Sequence, residues 1–278
     1  SPVAPELELE DRWMLSRLLT TVADCERYME SRRLNDAAYA VFNFFRHEYC
    51  DWYLEALKPR MRDEDRRRTV LPVALVGLAV TYKLLHPVMP FITEELWSWL
   101  PPADGYLMTS SFPRFTGDVP MAADAERFAQ VIEITGVIRN LRNELGVQPG
   151  LRGRAILRVP EPGAVAGLEA GAGLIALLSK LEEVSVVVGG EDPSPAGSGV
   201  AGTVEIFLPM AGLVDLEKER ARLAKELAQI EGWLKGCRAK LGNEKVTANA
   251  PAEVVQQQKD LLATNEAKAG KLRERIAA

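Results

Sequence analysis

The sequence predicts a mainly α-helical protein in three parts: a helical bundle over 1–118, a small α/β subdomain over 119–212, and a C-terminal antiparallel two-helix coiled coil over 213–278. Three observations predict it. Apolar residues recur every three or four positions through 9–101; short β-branched runs lie among Gly- and Pro-rich stretches in 146–212; and an unbroken apolar repeat runs through 213–241 and returns after 251.

The first helix carries Leu15, Leu18, Val22, Cys25 and Met29, whose 3,4,3,4 spacing makes one apolar stripe. A second places Ala38, Phe42, Phe45, Tyr49, Trp52 and Ala56 on one face, with Arg46, His47, Asp51 and Glu55 elsewhere and Pro59 just past its end. A third runs from about Arg68 to Leu85, with Pro72 in its first turn, and His86-Pro87 ends it because the residue before a proline avoids helical geometry. The uncharged stretch Thr69–Tyr82 is shorter than the roughly 20 residues a bilayer span needs and reads as a buried core helix. "FITEELWSWL" is a short fourth helix, and short loops between amphipathic helices make a bundle.

The second region opens with a helix striped by Val131, Ile134, Ile138, Leu141 and Leu145. "RAILRV", "VSVVVGG" and "GTVEIFL" then read as three strands, with a small-residue helix over Ala164–Leu181 between the first two. In the third region Leu213, Leu216, Arg220, Leu223, Leu227, Ile230, Leu234, Cys237 and Leu241 form a seam. Val255, Gln258, Leu262, Asn265, Ala269, Leu272 and Ile276 answer it. The polar loop between them is a hairpin tip, with Gly242 closing one helix and Pro251 opening the next. Each arm of about 28 residues spans about 42 Å. Arg220, Gln258 and Asn265 on the seam read as register devices.

Net charge over 278 residues is −5, so the chain as a whole is no polycation. The charge is unevenly spread. From Leu216 onward there are 13 Lys and Arg against 9 Asp and Glu, which leaves 21 against 30 in the preceding part. A basic two-helix arm on an acidic body suits a phosphate backbone, although solvated flanks of a coiled coil give the same count. Cys25, Cys50, Cys237, His47 and His86 lie far apart and at no metal-ligand spacing, so neither zinc nor a disulfide framework is expected, which fits a reducing cytoplasm. "SPVAPELELEDRW" opens abruptly, as an excised fragment would.

"HPVMPFITEELW" (86–97) resembles the signature of the anticodon-binding helical domain shared by class I synthetases for branched aliphatic amino acids. "CDWYLE" (50–55), "DRWMLSRL" (11–18), "IRNLRNELGVQPG" (138–150) and "LGNEKVTANAPAEVV" (241–255) narrow the likeness to the C-terminal region of the bacterial valyl-tRNA synthetase family, over nearly the whole chain. The resemblance implies a valine-specific tRNA as partner, a monomer, no DNA and no membrane. It also implies a ligase parent that uses ATP and magnesium, located in the cytoplasm. Neither the HIGH-type nor the KMSKS-type ATP-binding motif occurs, so no catalytic residue, metal or cofactor is assigned to this chain. The competing readings are a coiled-coil scaffold for protein partners and the matching part of an isoleucyl or leucyl enzyme.

On the anticodon side the candidates are Trp13, Arg12, Arg17, Arg139, Arg142 and Asn143. Trp13 falls about 150° from the first helix's apolar stripe, which suits stacking on a splayed base, and the arginines suit phosphate. On the arm they are Lys235, Arg238, Lys240, Asn243, Lys245 and Asn249, near the tip. His86, Phe91, Trp97, Trp52 and Tyr49 read as core and junction residues.

Overall fold

The computed structural model describes residues 7–101, 105–116, 121–211, 213, 216–241 and 252–277. Two compact units emerge: Ser1–Arg139 with Arg154–Gly190 and Val200–Ile206, and Asn140–Gly153 with Glu191–Gly199 and Phe207–Ala278.

In the first unit, α1 (Leu9–Glu30) begins with a capping box in which Glu8 N–H donates to the Asp11 carboxylate at 2.9 Å. After a turn in which Arg32 takes a left-handed φ of 58°, α2 (Leu34–Asn43) follows. It runs straight into a π-helical stretch, Phe44–Tyr53, and then α3 (Leu54–Arg62). The continuous helix expected here therefore changes pitch twice, and its core face differs from the expected one. Ala37, Val41, Phe44, Tyr49, Tyr53, Ala56 and Leu57 are buried, whereas Phe42 is exposed. The extra residue per π turn shifts every later side chain around the axis, which a constant 3.6 period cannot anticipate. Pro59 lies inside α3 rather than past its end.

The helix α4 (Glu64–Leu85) starts a turn earlier than expected, because Asp63 caps it by accepting from Asp65 N–H and Arg66 N–H. Pro72 thus sits in its interior, not its first turn. Both α4 and the segment Pro162–Ser179 are long and apolar enough to cross a membrane by length and composition. Here, however, α4 buries Val70, Val73, Ala74 and Leu84. Its Gly77 lies under Tyr49: a Cβ there would stand 2.6 Å from the Tyr49 ring and 3.3 Å from Met14 Sδ. The Tyr49 hydroxyl donates to the Ala74 carbonyl at 2.7 Å and fixes that ring over the helix. The short helix α5 (Pro90–Trp97) begins one residue before the expected "FITEELWSWL", with Pro90 in its first turn, and ends three residues before that stretch does.

Next come α6 (Ala122–Glu144), β1 (Arg154–Val159), α7 (Val165–Ser179), β2 (Glu183–Val188), β3 (Ala196–Ala201) and β4 (Val204–Pro209). The stripe Val131, Ile134, Ile138, Leu141, Leu145 is buried as its spacing predicts, with Phe128 added. β1 and β2 are parallel, from Arg154↔Glu183 to Val159↔Val188, with α7 as the crossover helix. The sheet has four strands, ordered β2-β1-β4-β3, not the expected three. The missed strand is "AGSGVA", whose glycines carry no strand signal. Gly197 lets this strand lie close to α6, since a Cβ there would meet Leu145 Cδ1 at 2.9 Å.

In the second unit, α8 (Leu216–Leu241) and α9 (Ala252–Ala277) are 26 residues each, about 39 Å long. They run antiparallel, since Arg238 pairs with Glu266 and Glu231 with Arg273, both at 2.6 Å. Leu234, Cys237 and Ala269 are buried between them. Of the seam's polar members, Gln258 meets Cys237 Sγ at 3.7 Å through Oε1, while Asn265 Nδ2 donates within its own helix to the Leu261 carbonyl.

Candidate nucleic-acid interface

The residues expected to face RNA on the bundle are largely committed to the protein itself. Trp13 is the main correction. It is 3% exposed, with its ring stacked on Phe128 of α6 at 4.5 Å and 29°. The N-terminal half of α1 buries Glu10, Asp11, Trp13, Met14, Ser16 and Leu18, so it is covered on more than one side. A one-stripe reading of α1 misses the second contact, which comes from α6, more than a hundred residues away in the sequence.

Arg12 is tied to the same helix: its Nε donates to Asp124 at 2.9 Å and its Nη1 to the Leu7 carbonyl. Arg17 makes a bidentate fork with Glu48 at 2.7 and 2.8 Å, and that bond is the chief reason its pKa is raised. Arg139 lies 4.8 Å over the Trp52 ring and donates from Nε and Nη2 to the Leu178 carbonyl, while burial pushes its pKa down. Arg142 is 7% exposed and donates to the Leu151 carbonyl at 2.8 Å. Its pKa is also lowered by burial, and its Nη1 has no hydrogen-bond partner among the described residues. Arg139 and Arg142 thus act as braces within the protein, whereas Arg12 and Arg17 are held by carboxylates with 34% and 40% of their side chains still exposed. Asn143 remains exposed near the end of α6.

A buried ionic cluster explains why the start of α1 is so firmly held. Arg60 of α3 reaches Asp11 at 2.8 Å, Glu10 at 3.0 Å and Glu8 at 3.3 Å. The Tyr53 hydroxyl, delivered by the π-helical stretch, donates to Asp11 at 2.9 Å. Burial raises the Glu10 carboxyl pKa above its ordinary value.

A different surface offers what Trp13 does not. Asn35, Tyr39, Phe42 and Arg46 are spaced 4, 3 and 4 along α2 and the start of the π-helical stretch, and all four are exposed, Tyr39 by 66%. They lie opposite Ala37, Val41 and Phe44, which are buried. An exposed row of two aromatics with an arginine and an amide can stack on bases and pair with phosphate. The sequence holds this signal, but Phe42 is hidden in the expected core face.

On the arm, Lys235 is exposed and Arg238 is paired with Glu266. The side chain of Lys240, and Asn243, Lys245 and Asn249 entirely, lie outside the described residues. Among the described residues no group of three or more His, Cys, Asp or Glu is placed to hold a metal ion, so none is assigned to magnesium.

Comparison with known proteins accounts for both parts. Residues 11–157 match the family described as the anticodon-binding domain of tRNA ligase, and 215–278 match the valyl tRNA synthetase tRNA binding arm. Relatives named valine–tRNA ligase include those of Syntrophotalea carbinolica (36% identical over 95% of this chain and 30% of the relative) and Carboxydothermus hydrogenoformans (37%, 92% and 29%). That of Thermotoga maritima is 33% identical over 98% of this chain and 30% of the relative. The chain spans about 30% of the length of these relatives. It therefore belongs to the anticodon-binding family of tRNA ligases, with the tRNA binding arm of valyl-tRNA synthetases following in the same polypeptide.

Proposed function

We propose that this chain is the tRNA-holding part of a cytoplasmic, monomeric valine–tRNA ligase, in which the bundle of 1–118 reads the anticodon of a valine tRNA and the arm of 213–278 braces the tRNA elbow. The region 119–212 joins them. The observation that carries this reading is the presence of both family matches, 11–157 and 215–278, in one chain. The arm acts as an antiparallel coiled coil whose tip, with Lys235, Lys240, Asn243, Lys245 and Asn249, meets the RNA backbone. On the bundle, Tyr39 and Phe42 take the stacking role, with Arg46, Asn35 and Asn143 as polar partners. Valine activation, with ATP and magnesium, belongs to the rest of the longer polypeptide, and DNA is not a ligand.

Two separated contacts on one rigid RNA raise affinity through effective concentration and set its orientation. The test is binding of purified valine, isoleucine and leucine tRNAs at two salt concentrations. Valine tRNA should bind most tightly, and the double variant Tyr39→Ala/Phe42→Ala should weaken it by about tenfold or more. Equal binding of all three tRNAs would point to another enzyme of the group. Salt-insensitive self-association without any RNA shift would point to a protein scaffold.

A further inference from the structure

Between Val88 and Met108 the bundle unit exposes a run of large apolar side chains. Phe91 is 91% exposed, Trp99 77%, Tyr106 and Met108 71% each, and Val88 and Ile92 just over half. Six large apolar side chains exposed within one short stretch of chain mark a candidate contact, since an isolated exposed hydrophobe is ordinary but such a density is not.

Two of the segment's polar groups brace it from within, while Glu95 stays exposed and accepts from Trp99 Nε1 at 3.3 Å. Thr93 is buried, donates to the Met89 carbonyl, and bonds His86 Nδ1 at 2.8 Å. Glu94 accepts from Leu107 N–H at 2.7 Å and Met108 N–H at 3.0 Å, which bolts the following loop to α5 beside Phe91 and Ile92. Leu107, between Tyr106 and Met108, is itself buried. The frame is braced and the apolar side chains stand outside it, an arrangement ready for a partner with little left to order.

Charge narrows the occupant. Lys83 of α4 lies over the Trp97 ring at 5.5 Å, but the described residues of 88–108 bring Glu94 and Glu95 and no Lys or Arg, so the face offers little to a phosphate backbone. The relatives, meanwhile, are about three times as long as this chain. We propose that the face bearing Val88, Phe91, Ile92, Trp99, Tyr106 and Met108 is the docking surface for a part of the longer valine–tRNA ligase polypeptide that this chain does not contain, an apolar contact within one molecule. Phe91 and Trp99 are its anchors.

The inference uses the family assignment and the relatives' length, and it stands apart from the anticodon reading. To test it, the matched 268 residues of the Syntrophotalea carbinolica enzyme are replaced by this chain. Hydroxyl-radical oxidation of Phe91, Trp99, Tyr106 and Met108 is then compared in the chimaera and in the 278-residue chain alone. The expected result is at least about fivefold slower oxidation in the chimaera, restored at Tyr106 and Met108 by Phe91→Ser/Trp99→Ser, with tRNA binding by the isolated double variant unchanged. If the chimaera does not fold, the remaining portion of the Syntrophotalea enzyme is added in trans and must slow oxidation of the same residues. Unchanged oxidation in the folded chimaera, or in trans where the chimaera fails, overturns the proposal. So does protection of the isolated chain that rises with its own concentration, which means a second copy, or protection by tRNA. Failure of the isolated chain to shift tRNA, with protection intact, overturns the proposed function and leaves the docking face standing.

Discussion

Replacing Arg60 by methionine asks how much of the bundle's stability rests on charge pairing at the start of α1. The guanidinium faces Asp11 at 2.8 Å and Glu10 at 3.0 Å, and the side chains of those two are 0% and 3% exposed. Asp11 keeps two donors when Arg60 is lost, the Glu8 N–H and the Tyr53 hydroxyl, both at 2.9 Å. Glu10 loses its guanidinium donor. Breaking a buried ion pair from one side costs about 3–5 kcal/mol, and the surviving bonds to Asp11 put this case near the lower figure. A loss of about 3 kcal/mol lowers Tm by about 6–12 °C in a protein of this size, measured by calorimetry. Arg60→Met/Glu10→Gln/Asp11→Asn, which removes the stranded charges, should recover more than half of it.

The same cluster has a pH signature. Burial raises the Glu10 pKa, so in the window above the ordinary glutamate value the folded chain holds a proton that the unfolded chain has released. Stability from this group is therefore full below that window and is lost as pH rises through the folded pKa. Glu10→Gln lacks that loss, so its stability relative to the parent should climb as pH rises above the ordinary glutamate value. The deficit of Arg60→Met should shrink on acidification over the same range. A deficit below about 1 kcal/mol, or one independent of pH, refutes the argument that paired charge holds α1 in place.

Three further outcomes follow from the geometry. Gly77→Ala should cost about 1–3 kcal/mol in urea unfolding, because the new methyl meets the Tyr49 ring at 2.6 Å while the ring's hydroxyl is tied to Ala74; Gly163→Ala, with nothing within 4 Å, is the control. Trp13→Ala should cost about 3–5 kcal/mol through loss of the Phe128 stack. Under conditions where the variant stays folded, its tRNA affinity should stay within about twofold, whereas a base-stacking role would lower it by tenfold or more. Deleting 213–278 should weaken tRNA binding and flatten its dependence on salt in a filter-binding titration, and an unaltered salt slope would remove the arm from the contact.

Helix order in the bundle, the α6 stripe, the break at His86-Pro87 and the antiparallel pair at the C-terminus are legible in the sequence because each depends on signals within a few residues. The errors come chiefly from contact between distant segments, and in one case from a local change of helical pitch. Trp13 stands off the apolar stripe of its own helix and is buried by Phe128, far along the chain. Phe42 fits a constant helical period and is exposed, because the π-helical stretch 44–53 resets the phase. Arg17, Arg139 and Arg142 read as surface cations until the fold brings Glu48, the Leu178 carbonyl and the Leu151 carbonyl to them.

By itself the sequence determined the helical class of the protein, the split between an acidic body and a basic arm, and the motifs that carry the family likeness, since periodicity, charge and short signatures are local properties. Only the tertiary structure decided which aromatics and arginines remain available to a partner. Availability depends on what packs against each side chain, and for Trp13, Phe91 and Arg60 the deciding atoms, or their absence, lie on segments that the chain brings together only by folding.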